Sequence, residues 1–333
     1  MRWLALPLAA LLAAMAAPAG AQPDLSRRTG TTVADTGVPG YRFHAVVLEA
    51  QDGRRYRLRV AVPERAPPPS GHPAAWLLDG NAALMDIGAA TLQRLAKAPR
   101  APVVVFVAHD NDLRIDGDAR AYDYTPRRPG GEDAQRDPMG TRRNGGADAF
   151  LDLLAGEARA RVAALAPLDP ARQALWGHSY GGVFVLHALF TRPQAFADYG
   201  AADPSLWWGE GHLLREETTA AAWIGAAPSL HVWRGEAAPL PAAVPERAVP
   251  ARDPAAVDAM RRARASVPAD AIEHMVARQR GRGMAAELHV LPGLSHGQTL
   301  GASLPPFLFG IAGIAEAGDA TGSASPAAAE ASR

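Results

Sequence analysis

Cysteine is absent from the 333 residues, which excludes disulfides, thiolate metal sites, iron–sulfur clusters, cysteine nucleophiles and a lipid-bearing N-terminal cysteine. Net charge is absent as well, because 34 basic and 34 acidic residues cancel. The chain therefore lacks the general positive field with which a nucleic-acid binder neutralises phosphates, and an anionic ligand must be met by local groups. Lysine occurs once, at Lys97. No Walker loop, dinucleotide Gly-x-Gly-x-x-Gly or His-Glu-x-x-His string is present, and no period of 20 to 50 residues recurs. What remains is ordinary globular composition, 48% hydrophobic and 20% charged, with oxygen, nitrogen and carboxylate chemistry at its disposal.

Arg2 precedes an apolar run from Trp3 to Ala17, and Ala19-Gly20-Ala21 supplies the small-x-small pattern of signal-peptidase cleavage. The run is shorter than the ~20 residues that span a bilayer, so residues 1–21 read as a secretory signal peptide, and no later stretch reads as a membrane anchor. The expected mature protein is exported to the periplasm, or secreted. Residues 22–40 and 316–333 read as a loose leading segment and a disordered tail, flanking one α/β domain over residues 41–315.

Within that domain His44 to Ala50 and Arg54 to Val62 flank Gln51-Asp52-Gly53, which predicts an antiparallel hairpin. Apolar runs then follow at Ala74 to Leu78, Pro102 to Ala108, Gln173 to Trp176, Tyr199 to Ala202, Leu230 to Arg234 and Glu287 to Leu291. Amphipathic segments separate most of them, so the sheet should be mainly parallel, with helices on both faces and strand C-termini along one functional edge. Two stretches interrupt the rhythm, Tyr122 to Gly146 and Ala237 to Pro254, and segments of that length usually shape or cover a site.

Gly177-His178-Ser179-Tyr180-Gly181-Gly182 follows a strand-like Ala174-Leu175-Trp176 and opens a helical Val183 to Phe190. A strand turning directly into a helix strains the serine backbone and projects its hydroxyl into a cleft. Ser179 is thus the candidate nucleophile, and the N–H of Tyr180 a candidate oxyanion donor. Of ten histidines, His178 and His187 sit too close to the elbow to serve as base, and His231 and His289 fall inside strand runs. His296 follows the last strand, where the chain order serine, acid, histidine puts the base. Glu236, after the strand ending at Arg234, has the order and setting of the acid. Asp203 occupies the other strand end that supplies one, and a serine–histidine dyad without a carboxylate is a third arrangement. Asp79-Gly80-Asn81, after the run ending at Leu78, is the place for the second oxyanion donor, Asn81 or its neighbour. This chemistry calls for no cofactor and no metal.

With these residues assembled, the chain resembles the periplasmic siderophore esterases that cleave the trilactone of enterobactin and its glucosylated form salmochelin. The likeness rests on Trp76-Leu77-Leu78-Asp79-Gly80-Asn81-Ala82, Arg120-Ala121-Tyr122-Asp123-Tyr124-Thr125-Pro126, Leu175 to Gly182, Pro204-Ser205-Leu206 and Leu294-Ser295-His296-Gly297, in that order. It implies an α/β-hydrolase fold, with Ser179 and His296 in catalysis and Asp79 and Arg120 lining the substrate cleft. The implied substrate is a small ester, a ferric or free catecholate siderophore, for which an arginine offers planar multi-donor contact. Arg142, Arg143, Trp207 and Trp208 are further residues that would suit an anionic aromatic ligand, or simple packing. Departures from the family pattern, Asp203 ahead of Pro204-Ser205-Leu206 and the segment from Ala237 to Gly283, leave open a carboxylesterase for another polar acyl ester and a non-catalytic siderophore binder.

Overall fold

A computed structural model describes residues 27–137, 142–237 and 254–315. The expected signal peptide, the expected C-terminal tail and most of the Pro-rich stretch from Ala237 lie outside the described residues.

Eight strands form one sheet: β1 (Tyr41–Glu49), β2 (Arg55–Pro63), β3 (His72–Leu77), β4 (Val103–His109), β5 (Leu168–His178), β6 (Asp198–Ala202), β7 (Ser229–Glu236) and β8 (Ala285–Pro292). Their order across the sheet is β1-β2-β4-β3-β5-β6-β7-β8. β1 and β2 form the expected hairpin, β2 runs antiparallel to β4, and every pair from β4 to β8 is parallel. The central strands read as unbroken apolar runs because both of their faces are covered. On β4, Val103, Val105 and Val107 face one core while Val104 and Phe106 face the other. The first core takes the helices Tyr180–Thr191 and Ala271–Gly281, and the second takes Gly80–Asp86, Ala89–Ala96 and Thr299–Ala312. Each large side chain fully buried there, such as Phe184 or Leu308, stabilises the fold by roughly 1.5–3 kcal/mol relative to exposure.

The segment before β1 is not loose from residue 27 onward. Thr32 and Asp35 form a reciprocal capping box on the helical turn Val33–Thr36, and Arg28 bridges to Leu113. A capped turn docked on a neighbouring loop satisfies backbone groups that an open terminus would leave to water. The described part of the long loop after Tyr122 is likewise structured, with a 3₁₀ turn at Glu132–Gln135 and a bridge between Arg136 and Arg143.

His187 ties this layer together. It lies buried on the helix Tyr180–Thr191, with Nδ1 2.9 Å from Glu216 and Nε2 3.4 Å from Asp148. Burial is the largest influence on its pKa and disfavours the charge, but the two carboxylates together outweigh it and raise the value to about 9. The charged form is then favoured by folding, so the contribution is complete below the unfolded value near 6.5 and fades as pH rises toward 9. About 3 kcal/mol should be lost across that window. Denaturant titrations between pH 6 and 9.5 should show this decline, and His187→Gln should flatten it; a decline of equal size in the variant would assign it elsewhere.

Candidate active site

The sharp turn between β5 and the helix Tyr180–Thr191 sets the site. Ser179 occupies φ 60°, ψ −113°, a conformation that an L-residue adopts only when its surroundings enforce it. Two glycines make the turn possible: a Cβ on Gly177 would lie 2.4 Å from the Gly181 carbonyl oxygen, and one on Gly182 would lie 2.9 Å from Pro204. The backbone is fixed further by Ser179 N–H donating to Ala202 O at 2.9 Å and Ser205 N–H donating to Ser179 O at 3.2 Å.

His296 Nε2 stands 3.1 Å from Ser179 Oγ. On the far side of the ring, Nδ1 is 3.3 Å from Asp203 Oδ2. A carboxylate facing Nδ1 holds the proton there, which leaves Nε2 as the acceptor for the Ser179 hydroxyl. Asp203 itself sits at φ 44°, a left-handed conformation that aspartate tolerates better than most residues. Its backbone N–H donates to Trp233 O at 2.7 Å, and Oδ2 also lies 3.4 Å from Gly235 N and 3.5 Å from Thr299 Oγ1.

Glu236, the residue that chain order put first for the acid, does not reach the histidine. β7 runs two residues past Arg234, so Glu236 is still paired in the ladder opposite Pro292, its carbonyl accepting from Gly293 N–H. The pleat turns its side chain the same way as that of Arg234, which pairs with Glu273 on the helix Ala271–Gly281. Its carboxylate is exposed and pairs with no described residue.

Three further groups around the serine carried no assigned role in the sequence. Ser205 Oγ is buried 3.1 Å from Ser179 Oγ; because the Ser179 hydroxyl donates to His296, Ser205 is the donor in this pair. Thr299 Oγ1 donates to His296 O at 2.7 Å. His178 Nε2 lies 2.7 Å from the same carbonyl and must donate to it, and the two imidazole rings are 4.7 Å apart. Burial first, and the neighbouring His296 second, push the His178 pKa well below the ordinary histidine value, so it serves as a neutral donor. The motif position of His178 and the Pro204-Ser205-Leu206 block were visible signals, but the hydrogen bonds they serve join residues more than a hundred positions apart or at the ends of neighbouring strands. His178→Ala should lower kcat by about 10–100-fold with little change in KM, since it loosens the loop that carries His296 rather than a substrate contact. An effect confined to KM would place His178 in binding instead.

Asn81 is the second residue of the helix Gly80–Asp86, where first-turn N–H groups have no intrahelical acceptor. Its side-chain amide is committed to Asn111 O at 3.0 Å and Leu113 O at 2.8 Å, so the main-chain N–H is what it offers. The N–H of Tyr180 lies at the start of the following helix, Tyr180–Thr191.

Asp79 and Arg120, implied to line the cleft, pair with each other beneath the elbow. Arg120 donates to both Asp79 oxygens, at 3.0 and 2.8 Å, and to the carbonyl of His178 at 3.0 Å. Its guanidinium lies over the Tyr124 and Tyr180 rings. Burial is the largest influence and opposes the charge, yet the Asp79 carboxylate outweighs it and raises the Arg120 pKa. Other residues of the Arg120 to Pro126 block are tied into the same frame. Tyr124 Oη accepts from Asp79 N–H at 3.1 Å. Fully buried Asp123 accepts from Tyr56 Oη at 2.9 Å and His109 Nε2 at 2.8 Å and pairs with Arg54. Arg142 pairs with Asp118, Arg143 covers the Tyr122 ring, and Trp208 is buried; Trp207, partly exposed beside Tyr180, is the one of the pair left near the cleft.

Comparison with known proteins identifies the family. The family model described as "Putative esterase" matches residues 50–238, more than half of the chain. An apo-salmochelin esterase of Escherichia coli O6:H1 is 38% identical over 200 residues, 60% of this chain and 62% of that protein. The ferri-bacillibactin esterase BesA of Bacillus subtilis is 29% identical over 198 residues, 56% and 65% of the two chains. The chain thus spans a little under two thirds of the length of these curated relatives. Among solved structures, the enterobactin and salmochelin hydrolase IroE superposes with a TM-score of 0.65 at 30% identity, covering 84% of this chain and 99% of that one, and a complex of IroE with DFP matches at 29%. The chain therefore belongs to this esterase family of the α/β-hydrolase fold, and within it stands beside the siderophore esterases.

Proposed function

We propose that the protein is an exported serine esterase that opens the ester or lactone bonds of a catecholate siderophore through an acyl-enzyme. The observation that carries the reading is the line of contacts Ser179 Oγ–His296 Nε2 and His296 Nδ1–Asp203 Oδ2, at 3.1 and 3.3 Å. Ser179 attacks the ester carbonyl as its proton passes to Nε2 of His296. The oxyanion is held by the N–H groups of Tyr180 and Asn81, and the Asp203 carboxylate orients and stabilises the imidazolium. Collapse breaks the ester C–O bond, and the leaving alkoxide takes the proton from His296. Water then gives a proton to His296 and attacks the acyl-serine, releasing the carboxylic acid and restoring Ser179.

The substrate class rests on the relatives, whose names include enterobactin, salmochelin and bacillibactin. Export rests on residues 1–21, and among the described residues no helix is long and apolar enough to cross a membrane. A non-catalytic binder would have no use for the contacts between the serine, the imidazole and the carboxylate. DFP, an organophosphate that reacts with nucleophilic serines, tests the enzyme reading at once. Intact-protein and peptide mass spectrometry should find one adduct, on the Ser179 peptide, and none in Ser179→Ala. An unlabelled wild-type protein, or an adduct elsewhere, would contradict it.

A further inference from the structure

Away from the serine, β7 and the edge strand β8 bring together three groups that the hydrolysis does not use. His231 on β7 is in register with Glu287 on β8, and Trp233 with His289, so all four side chains stand on one face of the sheet. His231 Nδ1 and His289 Nε2 are 3.2 Å apart, and Glu287 Oε2 lies 3.9 and 3.6 Å from them. The three donor atoms all fall within 4.8 Å of one another. Trp233 stacks on both imidazoles, with ring planes inclined by 27° and 19°, and the two imidazoles are inclined by only 17° to each other. An aromatic wall thus limits the rotation of both rings. His231, Trp233 and His289 border an open groove of about 700 Å³, whose other side is the helix Thr299–Ala312 through Pro306, Phe307 and Ile311.

We propose that His231, Glu287 and His289 form a surface binding site for a divalent transition-metal ion of the zinc, nickel and copper group, stapling the edge strand β8 to β7. Two imidazoles and one carboxylate suit these ions, and calcium or magnesium would ask for an all-oxygen set. At bond lengths of about 2.0–2.1 Å, two nitrogens on a tetrahedral zinc are ~3.3–3.4 Å apart, close to the separation found. Without metal the two rings share one hydrogen in an N–H···N contact. Binding moves that hydrogen to the far nitrogen of its own ring and tips both rings, each about one-third exposed, toward the ion. The carboxylate closes in by a few tenths of an ångström, and water completes the coordination in the groove.

The consequence is mechanical. β8 leads directly into the turn that carries His296, so a metal here would stiffen that strand without touching the reacting atoms. The test is isothermal titration of the untagged, metal-stripped protein with zinc chloride, alongside His231→Gln, His289→Gln and the double variant. About one ion per chain should bind to the wild type. Each single substitution should weaken binding about tenfold or more, and zinc should raise the melting temperature of the wild type alone. Melting of the metal-free variants controls for folding, and their hydrolytic rates should match that of the wild type. No stoichiometric zinc binding, or binding undiminished in a folded double variant, would overturn the proposal. A zinc-soaked crystal with anomalous density between the three named side chains would support it, and density only at other histidines would count against it.

Discussion

Ser179→Ala should lower kcat/KM on an activated aryl ester by about 10⁵–10⁶-fold, with circular dichroism and melting close to wild type. The size of the loss follows from the geometry. Ser179 Oγ is the only hydroxyl in contact with His296 Nε2 among the described residues. Ser205, though 3.1 Å from that oxygen, has no base of its own and cannot take over the attack. The residual rate would come from the oxyanion N–H groups and His296 acting on water. Steady-state kinetics on highly purified variant protein checks this, and a loss of tenfold or less would mean that another group is the nucleophile.

Asp203→Asn should cost kcat about 10⁴-fold while Glu236→Gln stays within about twofold of wild type. An asparagine keeps the shape at Nδ1 but removes the charge that stabilises the imidazolium. Its amide also has an N–H to offer, which favours the tautomer with the proton on Nε2, where it blocks acceptance from Ser179. Glu236 has neither contact nor direction toward the ring, so its charge is screened by solvent. Measuring kcat for both variants decides between the two strand ends. The reverse ranking would return the acid to β7, and equal small losses would leave a dyad.

The order in which strands appear along the chain, the hairpin and the two-sided burial of the central runs were all legible, because alternation and apolar continuity are local properties of sequence. The elbow was legible for the same reason: Gly177, Ser179 and Gly182 encode a turn within a few residues. The identity of the acid was not. Both candidates follow a strand, and what separates them is a left-handed backbone at Asp203 and two extra residues of ladder pairing at Glu236, neither of which leaves a mark on composition or spacing. The Arg120 to Pro126 block marked the family without revealing its work. The arginine that the resemblance matched to an anionic ligand also holds Asp79 and the His178 carbonyl, across 41 and 58 positions of chain. His178 was set aside as a base because it adjoins Ser179, and that adjacency is what lets it brace the loop of His296.

These contacts give the elbow support from two sides. Arg120 fixes the carbonyl before the serine from below, and the His178 ring fixes the carbonyl of the base from beside it. The strained Ser179 backbone therefore persists as part of a hydrogen-bonded frame, poised without substrate.

Mass spectrometry of enterobactin, with and without bound iron, incubated with the wild-type protein and with Ser179→Ala, tests the whole account most directly. Serine-dependent appearance of linear trimer, dimer or monomer is the predicted result, and the form cleaved faster gives the iron preference. An intact trilactone after incubation with protein that still accepts DFP at Ser179 would contradict the siderophore assignment and leave an esterase for a different acyl ester.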